Sequence, residues 1–396
     1  MKILFVNQHM KMGGIAGSLY NALHLLKKET DWQVDWVVFD PYFDEKFKNL
    51  EHIKFYVPFW LKFLYIRKKE ALKKLPWFQI PIFLSVKLLA KIIGINRSRL
   101  FLIKRLRLPE HYDIAVSYSN DIPVHDVLTG TNDFVLHAVS ASQKIAWIHN
   151  DLDKLGFDRS YVLRRYADFD KIVNVSEGCK QQLDEMAPEF KSKSYYVHNY
   201  IDAQTINRKA DAFNPYQNKN TPVLVTVARI DNQQKRIDRI LQAAQKLQEN
   251  KVAFKWYVVG DGKDLSSLKK QAEEAGLTGV LIFTGFQPNP YPYVKHADLF
   301  VLTSDYEAQP LALTESFIIG TPVVTTDFPA AWEFVRTGQN GYVVDKDANS
   351  IYQILSDLLQ NPEHLQNLKK NARHNKLDIK SLYLSELNHL FNDRPE

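Results

Sequence analysis

Two acidic residues, Glu307 and Glu315, stand eight positions apart in the stretch DYEAQPLALTESFIIGTPVVTTDF, either side of a short apolar run. A pair at that spacing has two readings. The acids are solvated side chains, one at a helix start and one exposed on the helix, or they are two arms of one binding site. The preceding DLFVLTS has the continuous apolar character of a buried parallel strand. PLALTESFIIG reads as a helix with Pro310 at its start and Gly320 just past its end. Glu307 then lies in the strand-to-helix loop, and Glu315 about one and a half turns into the helix. The backbone N–H groups of Gln309, Leu311 and Ala312 fall between them, where a helix N-terminus offers donors and partial positive charge to a phosphate. Acids on both sides of such a site could bind hydroxyls at either end of a diphosphate.

A second stretch supplies the cations a diphosphate needs. VTVARIDNQQKRIDRIL puts Arg229 at the end of a strand and Lys235 at the start of the next helix. Both would emerge at the same sheet edge as Glu307, making a clamp in which arginine gives bidentate contacts. The alternative is a solvated helix start, although cations there oppose the helix dipole. VVGDGKDLSSL adds a strand, a glycine turn and a helix, a pattern many tight turns share.

These residues need parallel sheets to hold them. MKILFVNQ reads as a buried strand, and GGIAGSLYNALHLLKKE as a helix with Leu19, Leu23 and Leu26 on one face. WQVDWVVF, YDIAVSYS, KIAWIHN and KIVNVS continue the alternation, and the pattern restarts at TPVLVTVARI. Between the halves, RKADAFNPYQNKNTP has no hydrophobic period and is expected to be the linker. The fold class is therefore α/β: two Rossmann-like, doubly wound parallel-sheet domains with a ligand cleft at the carboxyl ends of their strands. The expected domains are 1–205, 206–375 and a C-terminal helix within 376–396 that packs back on the first.

Composition narrows the class. With 396 residues, 45% hydrophobic and 24% charged, the chain suits a folded two-domain protein. Its single cysteine, Cys179, excludes an internal disulfide and cysteine-based metal clusters, and fits a reducing cytoplasm. The N-terminal apolar run, Ile3 to Val6, is too short for a signal peptide, and no apolar stretch is long enough to span a membrane. Charge is uneven. Residues 54–109 hold fourteen Lys or Arg against one acid, Glu70, so +13 lies there and −7 in the rest of a chain whose net charge is +6. Aromatic residues such as Trp60, Trp77 and Phe101 are interleaved with them. Basic and aromatic residues at this density suggest an anionic membrane surface or a nucleic acid, and the aliphatic content favours lipid. A solvated basic helix pair capping a domain is the plainer reading.

ARID…KRID, VVGDG, PYVKHADLFVLTSDYEAQPLALTES and GTPVVTT together resemble family four of the retaining glycosyltransferases, which have the GT-B fold. In the first half the resemblance rests on the glycine pair after strand one, on WIHND and on VNVSEGCKQQL. It implies a donor site in which Glu315 holds the nucleotide ribose, Glu307 stands beside the donor sugar, and Arg229 and Lys235 neutralise the diphosphate. It also implies that Gly14 lies close to the phosphates and acceptor, and His149 near the transferred sugar. His149 ends a strand, where ligand contacts gather, although a strand histidine is ordinarily a core residue. Where many members carry Gly-Phe-Gly after the first glutamate, this chain has Ala308-Gln309-Pro310, so Gln309 offers an amide to the donor sugar. Asp151-Leu152-Asp153 spells a metal motif of the other large glycosyltransferase fold; here it is expected to be a helix cap or a surface acid pair.

The expected activity is transfer of a sugar from a nucleotide diphosphate, most simply a UDP-sugar, to a hydroxyl of a lipid-linked or polymeric glycan acceptor. No metal, no cofactor and no nucleic acid are expected. Residues 54–109 are expected to dock the protein peripherally on the inner face of the cell membrane. The alternatives are a sugar-nucleotide epimerase of the same fold and a non-catalytic membrane or nucleic-acid binding protein.

Overall fold

The computed structural model describes residues 1–11, 13–42, 47, 53–119, 121–123, 130–216 and 220–393. The chain divides into two compact units. Met1–Tyr200 with Tyr383–Glu396 forms the first, and Ile201–Leu382 the second.

In the first unit the apolar runs become β1 (Lys2–His9), β2 (Gln33–Asp40), β3 (Phe55–Tyr56), β4 (His111–Ser117), β5 (Ser140–Ile148), β6 (Lys171–Asn174) and β7 (Ser194–Tyr196). They form a parallel sheet in the order β3-β2-β1-β4-β5-β6-β7. Ile3 to Val6 are buried on both faces, as a strand covered by helices on each side requires. The helix Gly14–Glu29 buries Leu19, Leu23 and Leu26 as its spacing predicts, and Lys27 and Lys28 complement its C-terminal dipole.

The basic segment is a set of helices beyond β2 and β3. Phe59–Tyr65 buries Leu61, Phe63 and Leu64, and the Tyr65 ring lies 4.9 Å from that of Phe39 in β2. The helix Ile80–Ile93 follows, with Phe83 and Val86 turned inward. The helix Ile95–Ile103 buries Arg99, whose Nε lies 3.5 Å from Asp133. The last helix, Ile379–Asn392, closes the first unit from Tyr383 onward. There the backbone N–H of His198 donates to Glu386 at 2.8 Å, and the Tyr195 hydroxyl donates to Asp393 at 2.7 Å.

The second unit is built from β8 (Val223–Val227), β9 (Lys255–Val259), β10 (Leu281–Gly285), β11 (Leu299–Leu302), β12 (Val323–Thr326) and β13 (Gly341–Val344). They form a second parallel sheet in the order β10-β9-β8-β11-β12-β13. Both sheets are doubly wound. The chain steps outward from β1 and from β8, then returns to pair β4 and β11 against their other sides. Each sheet therefore has a switch point, β1/β4 and β8/β11, where the loops at the carboxyl edge part and leave room for a ligand.

The expected linker is corrected at its start. Arg208, Lys209 and Ala210 belong to the helix Ala203–Ala210, whose cap Asp202 accepts from the N–H groups of Gln204 and Thr205. Only two of its side chains, Ile206 and Ala210, are buried, too few to show as a hydrophobic period. Residues 217–219 of that stretch lie outside the described residues.

Candidate functional site

The β8/β11 switch point gathers the charged residues of the second unit. The loop after β8 is held against the loop after β9 by backbone bonds, Ala228 N–H to Val259 O at 3.1 Å and Ile230 N–H to Asp261 O at 2.9 Å. The two glycines of VVGDG permit this approach. A Cβ on Gly260 would lie 1.8 Å from the Ala228 carbonyl oxygen, and one on Gly262 would lie 2.2 Å from that of Ile230. Their role is to let two loops touch and so fix the backbone that carries Arg229. The Arg229 side chain is 63% exposed, with Nη2 3.1 Å from the Gln234 amide oxygen and 3.6 Å from Asp231, so most of the guanidinium faces solvent.

Lys235 points across the switch point and pairs with Glu307. The Glu307 side chain is only 8% exposed. Its carboxylate also accepts from Ser304 Oγ at 2.7 Å and from Gln234 Nε2 at 3.4 Å. The loop after β8 is fastened to the loop after β11 by Asp305 N–H to Gln234 O at 2.9 Å and Thr303 Oγ1 to Lys235 O at 2.8 Å. Arg239 and Arg236 reach Asp305 at 2.5 and 3.1 Å. Burial works to raise the Asp305 carboxyl, but these two guanidinium groups hold it below its ordinary value. The result is a fixed array of alternating charge in which Arg229 is the most open cation.

Glu315 sits on the helix Leu311–Ile319, which Gly320 ends in the left-handed region at φ 91°. It is half-buried and accepts from the Tyr291 hydroxyl at 3.2 Å. Burial pushes its carboxyl up to about 7, while the Tyr291 hydrogen bond acts the other way. Gln309 and the capping Pro310 are buried, and Leu311 and Ala312 are half-buried. One expectation is corrected here. The Leu311 N–H is not free, because the turn at Pro310 aims it at the Gln309 carbonyl, 3.0 Å away. Ala312 remains as the first-turn position for an anion.

The raised Glu315 carboxyl has a consequence for stability. An acid whose folded value lies above its unfolded one stabilises below the unfolded value, and that contribution is lost as pH rises through the folded one. Between 4.5 and about 7 the wild type therefore loses roughly 3 kcal/mol at about 1.4 kcal/mol per pH unit. Glu315→Gln, which still accepts from Tyr291, is expected to melt higher than wild type at about pH 8 and equally at about pH 4.5. Melting curves at the two pH values check this; an equal or lower melting temperature at the higher pH contradicts it.

At the β1/β4 switch point of the first unit, Gly13 caps the helix that begins at Gly14, and both glycines are exposed. His149 directly follows β5 and is buried beside two rings, Tyr118 at 4.5 Å and Trp147 at 6.3 Å. Burial drives its imidazole down to about 3, against hydrogen bonds from its ring to the Tyr118 backbone and the Asn199 side chain that favour the charged form. His149 is thus a neutral hydrogen-bonding group at physiological pH. Ser18 ties the cluster together, 2.8 Å from the Tyr118 hydroxyl and donating to Asn199 at 2.7 Å.

Asp151 is neither a helix cap nor a surface acid. It is buried, accepting from Lys154 N–H in a turn and from Gln182, both at 3.3 Å. No group of three or more potential metal ligands occurs among the described residues.

Sequence reasoning missed Ser304, Asp305, Arg239, Tyr291, Ser18 and Asn199. Arg239 carried a signal, since it falls on the inward stripe of the helix Ile237–Glu249 among Ile240 and Ala243. A buried arginine needs a carboxylate partner. For Ser18 and Asn199, 181 positions apart, the local pattern holds none.

Residues 207–375 match the family of glycosyl transferases group 1. The lipopolysaccharide core biosynthesis glycosyltransferase LpsE of Rhizobium meliloti is 30% identical over 162 residues, 40% of this chain and 44% of that protein. A poly(ribitol-phosphate) alpha-N-acetylglucosaminyltransferase of Staphylococcus aureus is 27% identical over 36% of this chain and 29% of its own length. The chain thus spans less than half the length of these curated relatives. Among solved structures, Anabaena HepE in complex with UDP and glucose superposes with a TM-score of 0.69 at 18% identity, covering 99% of this chain and 100% of that one. A mutant of S. aureus TarM in complex with UDP gives 0.70 at 15% identity, covering 99% and 100%. These two likenesses show the fold, which is GT-B.

Proposed function

Residues 207–375 belong to the glycosyl transferases group 1 family, and from that premise we propose that the protein is a retaining glycosyltransferase using a nucleotide diphosphate sugar. The observation that carries the reading is the Lys235–Glu307 pair beside the open Arg229 at the β8/β11 switch point. The two cations take the diphosphate, and Ala312 adds a first-turn N–H. Gln309 lies between the acids and serves the donor sugar. Glu315 accepts hydroxyls of the ribose, a role that favours its ionised form. Uridine is the base of choice, because the HepE and TarM structures are described as UDP complexes.

In the reaction the bond between the anomeric carbon and the diphosphate oxygen breaks, and the acceptor oxygen bonds to that carbon on the same face. The acceptor proton passes to the departing phosphate oxygen. Diphosphate is already stable as an anion, so the site chiefly needs fixed positive charge where negative charge develops. Glu307 supplies the opposite charge for the positive character growing on the sugar. Gly14 is assigned to the phosphates and acceptor, and His149 to the transferred sugar as a neutral hydrogen-bond partner.

The acceptor is a hydroxyl of a lipid-linked or polymeric glycan of the cell surface. Relatives named for lipopolysaccharide core and colanic acid biosynthesis, and one named a poly(ribitol-phosphate) alpha-N-acetylglucosaminyltransferase, support that class. A thermal-shift screen of UDP-, GDP- and ADP-sugars tests the donor. The expected result is a rise in melting temperature with UDP-sugars alone, and no shift with any of the three contradicts the reading. Epimerised sugar nucleotide formed without acceptor would establish the epimerase instead.

Residues 54–109 form the docking surface for an anionic membrane, and no helix among the described residues is long and apolar enough to cross one. Lys68, Lys69, Lys73 and Lys74 are all exposed. Replacing the four by Gln is expected to weaken binding to anionic vesicles by about 1 kcal/mol per charge. Sedimentation with vesicles reads the change, and unaltered binding removes these lysines from the surface.

A further inference from the structure

The helix Ile80–Ile93 is apolar on the face where a surface helix is ordinarily polar. Phe83 and Val86 form its buried stripe. On the opposite side Leu84, Leu88 and Ile92 recur every four positions and are 52%, 57% and 71% exposed. Trp77 and Phe78, in the short 3-10 turn just before the helix, are 85% and 56% exposed. Scattered exposed apolar residues need no explanation. Here they are concentrated: eleven of the fifteen large apolar side chains exposed among the described residues fall within 54–109.

Charge selects what covers this face. The segment holds fourteen cations and one acid, and that acid, Glu70, is turned to Lys11 at 3.3 Å. A second copy would bring two strongly basic surfaces together, which is unfavourable. An anionic bilayer complements both the charge and the apolar stripe. The helix has 14 residues, so it is about 21 Å long and falls short of a hydrocarbon core of about 30 Å. It fits lying in the interfacial plane.

We infer that the helix Ile80–Ile93 enters the headgroup boundary of an anionic bilayer in plane, with Leu84, Leu88 and Ile92 downward and Trp77 beside them at the interface. In naming a membrane the inference rests on the reading of residues 54–109 above. It adds that apolar insertion, beyond charge attraction, holds the protein there.

The test uses the full chain with phosphatidylglycerol-containing vesicles and with pure phosphatidylcholine vesicles. Wild type is expected to bind the former, to keep part of that binding at high salt, and to show indole quenching by brominated acyl chains that Trp77→Phe largely removes. The triple variant Leu84→Ser, Leu88→Ser, Ile92→Ser, at exposed positions, is expected to partition at least about tenfold more weakly with unchanged circular dichroism. If the triple variant does not fold, the quenching comparison between wild type and Trp77→Phe decides. Full loss of binding at high salt, together with a triple variant that binds like wild type, overturns insertion and leaves charge docking standing. Absence of vesicle binding by wild type overturns both. A triple variant altered in sedimentation-velocity mass and not in vesicle binding overturns the inference in favour of self-association.

Discussion

Replacing Glu307 by Gln is expected to lower kcat on the order of 100-fold, with a smaller effect on nucleotide affinity. The substitution keeps the size of the side chain and one acceptor oxygen, which can retain the Ser304 bond, while the amide NH2 cannot accept from Gln234 Nε2. It removes the negative charge from a position 8% exposed, where water cannot compensate. Lys235 loses its partner but keeps its own charge, so diphosphate binding survives. Positive character on the anomeric carbon goes unopposed, which is a transition-state loss and appears in kcat. Glu315→Gln should behave differently. The ribose is held equally before and during the reaction, so that variant mainly raises the donor KM. Steady-state kinetics on both separates the roles, and wild-type constants in both would remove the acids from the donor site.

The second large effect concerns Lys235. Lys235→Ala removes a charge-assisted contact to the diphosphate, worth roughly 1.5–3 kcal/mol. It also leaves the Glu307 carboxylate buried without its cation, which is destabilising. Nucleotide affinity and melting temperature should therefore fall together. Arg229→Ala should weaken nucleotide binding with little change in melting temperature, since its side chain is 63% exposed and makes only one short contact. Calorimetry and melting curves distinguish the two, and an Arg229→Ala variant as unstable as Lys235→Ala would contradict this division.

What was legible in the sequence follows from how each feature is encoded. Strand segments such as Ile3–Val6 and Leu299–Leu302 are buried on both faces, so they appear as unbroken apolar runs. The ends of the helix Leu311–Ile319 are marked by proline and glycine, which placed Glu307 in a loop and Glu315 on a helix without any tertiary information. The Lys235–Glu307 pair is different. It spans 72 positions and exists because β8 and β11 are neighbours, although two strands separate them in the chain. Local pattern put both residues at one sheet edge and could not say that they touch. The Leu311 N–H was misjudged because the turn around Pro310 depends on backbone angles, and Asp151 because its burial depends on Gln182 from a later helix. The exposed face of Ile80–Ile93 was visible as composition only. Which apolar residues point outward required knowing which are covered by the helix Phe59–Tyr65 and the core beneath it.

The central claim is that the β8/β11 switch point binds the diphosphate of a uridine nucleotide through Arg229 and Lys235. Calorimetric titration of UDP and of uridine into wild type and the two single variants tests it most directly. UDP is expected to bind wild type and to lose about tenfold or more in affinity in each variant, as loss of one charge-assisted contact requires. Uridine, which has no phosphate, is expected to bind all three proteins alike. Equal UDP affinity in wild type and both variants, or a parallel loss for uridine, would contradict the account.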